Sequence, residues 1–178
     1  MDKQGFSLVE VIIALVVLGI LATGILHFRG DSSATDTREQ AYVLAQDIRA
    51  VIAHAVSSGD DALIAFGDSG GSAWYATWHR DYQDDSTSPP STRQFSLTRG
   101  VAFDATGVAA GPMDLPVSSG APSSTVICDA WSRCDVGEQA LAIYLGVPGN
   151  ARAQAAVTLG PSGGVRAWIY DPDASEWR

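Results

Sequence analysis

The sequence is poor in the residue types that bind metals or form covalent frameworks. Its 178 residues include two cysteines, Cys128 and Cys134 in CDAWSRC, and three histidines that lie far from them along the chain. A tetrahedral metal site at the cysteines would need two further ligands, so neither a metal nor another cofactor is predicted there. In an exported protein the pair is expected to form a disulfide across a tight loop; two buried free thiols are the alternative.

Positive charge is also scarce. Eleven Lys and Arg residues stand against twenty Asp and Glu residues, which gives a net charge of -9 and a pI near 4.5. An acidic surface repels phosphate backbones, so no nucleic acid is expected as a partner. Repeats of solenoid or propeller length are absent, and the chain length predicts one domain in addition to its N-terminal segment.

One long apolar run is present, at the N-terminus. From Val11 to Leu26 the only side chain with a polar atom is Thr23, and Glu10 directly precedes this run. About 20 apolar residues suffice to cross a membrane, so residues 6–28 are predicted to form an apolar transmembrane helix. A charge at the bilayer centre costs from about 2.5 kcal/mol upward. A plain membrane anchor therefore gives no reason for Glu10, and no A-x-A cleavage site of a secretory signal follows Leu26.

The residues GFSLVE, Gly5 to Glu10, followed by the apolar run, resemble the type III signal of type IV pilins and type II secretion pseudopilins. The resemblance implies that a prepilin peptidase removes the leader, residues 1–5, by cutting between Gly5 and Phe6, and that Phe6 is then N-methylated. It also implies a bacterial inner-membrane protein with one span, a periplasmic body at residues 29–178, and other pilins or pseudopilins as partners.

The same resemblance offers a role for Glu10 in assembly. Cleavage creates an ammonium group at Phe6, and Glu10 of one subunit is expected to neutralise the Phe6 amine of a neighbouring subunit. Removing one partner of a buried ion pair typically costs about 3–5 kcal/mol, so only a correctly staggered subunit would satisfy both charges. The alternative interpretation is a glutamate that snorkels to the membrane interface.

Downstream periodicity predicts an α+β fold. Seven apolar residues follow the i, i+3, i+4 spacing of one helix face and extend the predicted helix from about Phe6 to Val56: Ala41, Leu44, Ala45, Ile48, Val51, Ile52 and Ala55. Short β-like runs separated by turn compositions follow, including residues 101–104, and predict about seven strands. The expected architecture is a long N-terminal helix packed on an antiparallel sheet, as in pilins, with exposed loops at residues 81–92 and 109–124.

The C-terminal third is similar to the H-type minor pseudopilins and their pilus counterparts, in FSLTRGVAF and AAVTLGPSGGVRAWIYD. This similarity implies a minor subunit that primes a filament or sits at its tip. Some pseudopilins hold calcium in a C-terminal loop, which makes Asp171, Asp173 and Glu176 a weak calcium candidate; a solvated acidic rim is the favoured alternative, because calcium needs at least six converging oxygens.

Some pilus counterparts of the H-type subunits bind DNA for uptake through C-terminal arginines. The arginines available here are Arg152, Arg166 and Arg178, and the acidic residues near them argue against that role. Two other functions nevertheless remain as alternatives to a minor pilin or pseudopilin. One is a DNA-binding minor pilin, and the other is a membrane-anchored periplasmic binding domain that enters no filament.

Two further features bear on function. GDSGG, residues 67–71, matches the nucleophile motif of chymotrypsin-like proteases, and His54 and Asp61 precede Ser69 in the corresponding order. In that fold long stretches of chain separate these groups, whereas here they follow one another closely, and the rest of the chain is too short for two barrels. GDSGG is therefore predicted to be a hairpin turn and the protein not to be an enzyme. Trp131, inside the cysteine loop, is the aromatic residue most expected to be exposed for a protein contact.

Overall fold

The computed structural model describes residues 8–69, 71–80, 94–98 and 100–178. Within them one α-helix precedes eight strands, which form two antiparallel sheets ordered β3-β2-β1-β4 and β5-β6-β7-β8. The predicted α+β class is therefore confirmed, although the strands divide between two sheets. The elements are α1 (Leu8–Ser58), β1 (Asp61–Ser69), β2 (Ser72–Arg80), β3 (Gln94–Ser96), a 3-10 helix (Pro112–Asp114), β4 (Val126–Cys128), β5 (Leu141–Val147), β6 (Asn150–Leu159), β7 (Val165–Asp171) and β8 (Glu176–Trp177).

The second half of α1 forms the centre of the core. All seven residues predicted for its apolar face are at most 5% exposed, and α1 contacts strands of both sheets. Each buried Leu, Ile or Val side chain contributes about 1.5–3 kcal/mol relative to an exposed one. The helix ends at Ser58, two residues beyond the predicted Val56, because Gly59 adopts a positive φ of 83° and its N–H bonds to the carbonyl of Ala55 at 2.9 Å.

The first sheet, β3-β2-β1-β4, is built around a hairpin of two nine-residue strands. The register of β1 and β2 runs from Asp61↔Arg80 to Ser69↔Ser72, so GDSGG lies at the tip of a hairpin as predicted: residues 67–69 end β1 and Gly71 stands in the turn. Strand alternation turns Ile64 and Tyr75 towards α1, whereas Leu63 and Trp78 form a smaller cluster on the opposite face.

The second sheet, β5-β6-β7-β8, is a meander. Its inner face packs on α1 through Leu145 and Val157, and Tyr144 and Trp168 lie in a separate cluster with Trp177 packed against it. Part of the loop predicted to be exposed at residues 109–124 contacts this second cluster. The Tyr144 hydroxyl donates to the carbonyl of Pro116 at 3.1 Å, and the buried residues of this loop include Gly111, Pro112 and Leu115. The prediction that residues 109–124 form an exposed loop was therefore wrong in part. Part of this loop is buried because it covers the aromatic cluster on the outer face of the second sheet.

Two strand predictions also differ from the structure. Residues 101–104 form no strand, and only Ala102 pairs, with Gly146, as an isolated bridge. The bridge lies beside a register irregularity between Gly146 and Val147, where regular pairing is interrupted. Conversely, β8 was not predicted, because two residues are too few to show alternation. The predicted loop at residues 81–92 lies outside the described residues.

Candidate assembly site

Residues 12–18 of α1 present apolar side chains to their surroundings. The exposed fractions of the large hydrophobic residues between positions 12 and 18 range from 49% to 63%, a series made up of Ile12, Ile13, Leu15, Val16, Val17 and Leu18. Exposure of such a surface to water is thermodynamically unfavourable. A helix that is apolar all round is normally buried in a membrane or among other helices. This part of α1 is therefore a surface that another apolar phase is expected to cover.

The residues predicted for processing stand before this surface. Gly5 and Phe6 lie outside the described residues, and Glu10 belongs to α1. The cleavage site, the methylated amine and the pairing of Phe6 with Glu10 stay predictions.

Polar contacts fix the second half of α1 to the first sheet and to the segment that follows β3. The side-chain oxygen of Gln40 accepts the Thr98 N–H at 2.9 Å and the Thr98 hydroxyl at 2.7 Å. The hydroxyl of Tyr75 in β2 donates to Asp47 Oδ2 at 2.5 Å. Burial and this contact raise the pKa of Tyr75 above its ordinary value, burial having the larger effect.

Other polar contacts fix the same helix to the second sheet. Arg49 donates from Nη2 and Nε to the carbonyl of Val165 at 2.7 and 3.2 Å, and the Asn150 amide donates to the Ser33 hydroxyl at 3.0 Å. Sequence reasoning missed these anchors, although Thr37 and Gln40, both buried, continue the apolar spacing by one turn and gave a signal. These contacts thus hold the two sheets and the segment after β3 to the part of α1 between Ser33 and Arg49, which is roughly 24 Å long.

The structure contains the predicted disulfide between Cys128 and Cys134, which closes a loop around Trp131. Asp129 Oδ1 accepts the backbone N–H groups of Trp131 and Arg133 at 2.9 Å, and Asp129 Oδ2 pairs with the Arg133 guanidinium at 2.6 Å. These contacts, led by the Arg133 N–H, lower the pKa of Asp129. The Trp131 side chain is 80% exposed, as predicted, on a loop whose backbone is fixed by hydrogen bonds.

The protease-like residues do not form a catalytic triad. The His54 ring stacks on His79 at 4.0 Å between centroids, and His79 pairs with Ala62 near the beginning of β1. Ser69 stands seven residues farther along the same strand, a separation of about 23 Å at 3.3 Å per residue. A serine nucleophile needs its imidazole within hydrogen-bond reach, so the geometry excludes this mechanism for these residues.

The weak calcium candidate is not assembled either. Asp171 Oδ1 accepts the backbone N–H groups of Asp173 and Ala174 at 3.1 and 3.2 Å and so shapes the turn from β7 to β8. Its Oδ2 lies 2.9 Å from Arg178, while Asp173 lies 3.8 Å from Arg152. Across the part of the chain that the structure describes, no group of three or more His, Cys, Asp or Glu residues has the arrangement of a metal site.

Each C-terminal arginine considered for DNA contacts a neighbouring side chain. Arg152 and Arg178 face the two aspartates just described, and the Arg166 guanidinium stacks 3.8 Å from the centre of the Trp168 ring. The three cations therefore do not form one uninterrupted basic patch.

One comparison with known proteins finds a match, and this match lies at the N-terminus. Residues 1–26 match the family model of the prokaryotic N-terminal methylation motif. No curated protein and no solved structure matches the chain. Among the helices of the described residues, none has the length and apolar character needed to cross a membrane. The span predicted at residues 6–28 thus gains no support from the structure.

Proposed function

We propose that the protein is a structural subunit of a type IV pilus or a type II secretion pseudopilus. The observation that carries this proposal is the match of residues 1–26 to the methylation motif, which contains the Gly5-Phe6 junction and Glu10. A motif of this kind implies processing by a prepilin peptidase and assembly with other pilins. The fold that follows it, a long helix and an antiparallel α+β body, is of the pilin-like kind.

The exposed part of α1 supports assembly through the helix. Its apolar residues, from Ile12 to Leu18, project beyond the anchored segment that begins near Ser33. In the proposed subunit this half resides in the inner membrane before assembly and packs against the helices of other subunits afterwards. The body then lies in the periplasm, where a disulfide between Cys128 and Cys134 is stable.

We further infer a minor subunit that primes the filament or sits at its tip. The similarity of the C-terminal third to the H-type minor pseudopilins supports this inference, and β6 and β7 are joined by a turn as expected there, although the two-residue strand β8 follows β7. The exposed indole of Trp131 offers such a subunit a contact for a further protein, since tryptophan is enriched among the residues that dominate binding at interfaces.

Intact-mass analysis of the membrane-extracted protein tests the proposal. The expected mass lacks residues 1–5 and carries one additional methyl group. Gly5→Leu should retain the leader while still entering the membrane, and Gln4→Leu, one residue earlier, should be processed normally. A wild-type chain that retains Met1 to Gly5 would contradict the filament proposal and favour a membrane-anchored binding domain.

A further inference from the structure

The indole of Trp131 is an exposed apolar group on a fixed loop. Among the described residues its ring N–H has no hydrogen-bond partner, whereas the backbone N–H of the same residue bonds to Asp129. The disulfide closes the loop, and the loop packs so closely on the turn after β6 that a Cβ atom at Gly163 would lie 2.7 Å from the Ser132 carbonyl oxygen. Tryptophan side chains held in this way are suited to entering a pocket that also accepts their N–H.

A pocket of matching size lies between α1 and the first sheet. Its volume is about 290 Å³, and because a cavity of about 150 Å³ already accepts benzene, it has room for an indole. We call it the lateral pocket. The lining residues used in the following argument are Asp47, Ala50 and His54 of α1, His79 of β2 and Phe95 of β3.

The chemistry of the lateral pocket also suits an indole. The His54 ring stacks on the His79 ring with 4.0 Å between centroids, and Phe95 stacks on Tyr75 while 42% of Phe95 stays exposed. Aromatic rings prefer offset-stacked or edge-to-face aromatic neighbours. Asp47 accepts the Tyr75 hydroxyl with Oδ2, and no described residue donates to its Oδ1. Oδ1 is therefore available as an acceptor for an indole N–H.

Trp131 and the lateral pocket lie at opposite edges of the first sheet. β3 forms one edge, and β4, which leads into the disulfide loop, forms the other; three strand spacings, or about 14 Å, separate them. Cys128 pairs with Ala62, which pairs with His79. His79 in turn stacks on His54, so the disulfide loop begins at the level of the pocket. A second copy placed beside the first can therefore bring its Trp131 to this pocket.

We propose that Trp131 of one copy of the chain docks in the lateral pocket of a second copy. The indole packs against His54 and Phe95, and its N–H donates to Asp47 Oδ1. Because each copy uses one surface to give and another to receive, the contact is heterologous and adds copies in a row instead of closing on a pair. The proposal rests on the proposed filament subunit, in which bodies stand side by side, and does not depend on a position at the tip.

The contact is small and needs the support of the helices. A buried tryptophan covers about 150–250 Å², well below the roughly 1,200–2,000 Å² of a stable interface. The net charge of -9 also makes copies repel one another. In a filament the packed helices hold neighbouring bodies at a high effective concentration, so that a weak contact is enough to fix the orientation of one body against the next.

Fluorine nuclear magnetic resonance of the full chain in detergent micelles tests the proposal. A dilute chain labelled with 5-fluorotryptophan is mixed with increasing amounts of unlabelled chain, and Trp131→Phe assigns the resonance of Trp131. We expect this resonance to shift as unlabelled wild type is added, with a Kd on the order of 1 mM because the contact is small.

Unlabelled variants identify the surface that receives the indole. Trp131→Ala should shift the Trp131 resonance of the labelled chain as the wild type does, because its pocket is intact. Ala50→Trp, whose added indole occupies the pocket, should reduce the shift at least fivefold. Ala53→Trp is the matched control, at an exposed position of the same helix outside the pocket, and should leave the shift unchanged.

A reciprocal mixture shows that the pocket variant is folded. Labelled Ala50→Trp with unlabelled wild type should show the normal shift at Trp131, because its own indole can still enter a wild-type pocket. Absence of the shift in this mixture or with wild type alone would overturn the proposal, as would equal shifts with Ala50→Trp and Ala53→Trp. Removal of residues 1–5 is measured separately by mass, so a failed contact in a processed chain rejects the contact and leaves the filament proposal intact.

Discussion

At the scale of single residues, we expect Glu10 to decide whether a processed subunit is incorporated. We expect Glu10→Gln to be cleaved and folded normally but to enter filaments at least ten times less often. The reason is the Phe6 ammonium, which stays unpaired among packed helices at a typical cost of about 3–5 kcal/mol. The amount of subunit in sheared filaments, measured against the amount in the membrane, gives the ratio.

Glu39→Gln is the matched control for that change. Glu39 belongs to the same helix and is exposed, so the same substitution removes a charge without affecting the proposed pair. Normal incorporation of Glu10→Gln, or an equal loss in both variants, would contradict the pairing of Phe6 with Glu10.

Tyr75 is the residue at which stability should respond to alkaline pH. Its pKa is raised by burial and by Asp47. Unfolded tyrosine releases its proton near pH 10, whereas folded Tyr75 retains it to higher pH. The unfolded state then binds fewer protons, so the free energy of unfolding falls as pH rises above about 10 and keeps its full value below that pH.

Tyr75→Phe isolates this contribution. It removes the hydrogen bond to Asp47 and is expected to lower the free energy of unfolding by about 1.5–3 kcal/mol at neutral pH, because the acceptor is charged. Its decline in stability above pH 10 should be shallower than that of the wild type. Denaturant titrations of the detergent-solubilised chain measure both effects, and Tyr42→Phe, at an exposed tyrosine of α1, is the control at neutral pH. Identical slopes for wild type and Tyr75→Phe would refute the explanation.

At the scale of elements, we expect the disulfide to stabilise the folded state, while the loop that it closes keeps the Trp131 side chain exposed. Replacing Cys128 and Cys134 together with serine should lower the free energy of unfolding by about 2 kcal/mol, as expected for closing so short a loop. Trp131→Ala should change it by less than about 0.5 kcal/mol, because the indole is exposed. Denaturant titrations distinguish the two, and a large loss in Trp131→Ala would show that the indole is needed for folding.

The helix could be predicted from the sequence, whereas the sheet arrangement could not. Leu44, Ile48 and Ala55 repeat at helical spacing, and that local pattern determines which face is buried. Strand alternation is local too, but it does not specify which strands pair. The division into two sheets depends on contacts between distant residues, such as the Arg49 guanidinium and the carbonyl of Val165. The hydrogen bond between Asn150 and Ser33 depends on the same long-range packing and left no pattern in the sequence.

At the scale of the whole molecule, the negative net charge argues against nucleic acid as a partner. The net charge is -9, and Arg152 and Arg178 already face Asp173 and Asp171. We expect the full chain in detergent to bind duplex DNA no more tightly than non-specific binders do, with a Kd of about 10⁻⁴ M or weaker at physiological salt. A mobility shift at micromolar protein that Arg166→Ala abolishes would contradict this prediction, and Arg133→Ala is the control arginine.

The order of synthesis has a consequence for how this architecture forms. About 90 residues separate Ser58, the end of α1, from Asn150, the start of β6, which packs against the helix. At 5–20 residues per second, the ribosome needs roughly 5–20 s to make that stretch. Throughout this interval the apolar face of the helix lacks the part of its cover that the second sheet provides and can associate with other chains. Substitutions in β6 that slow its docking therefore lower the yield of folded protein as well as its stability.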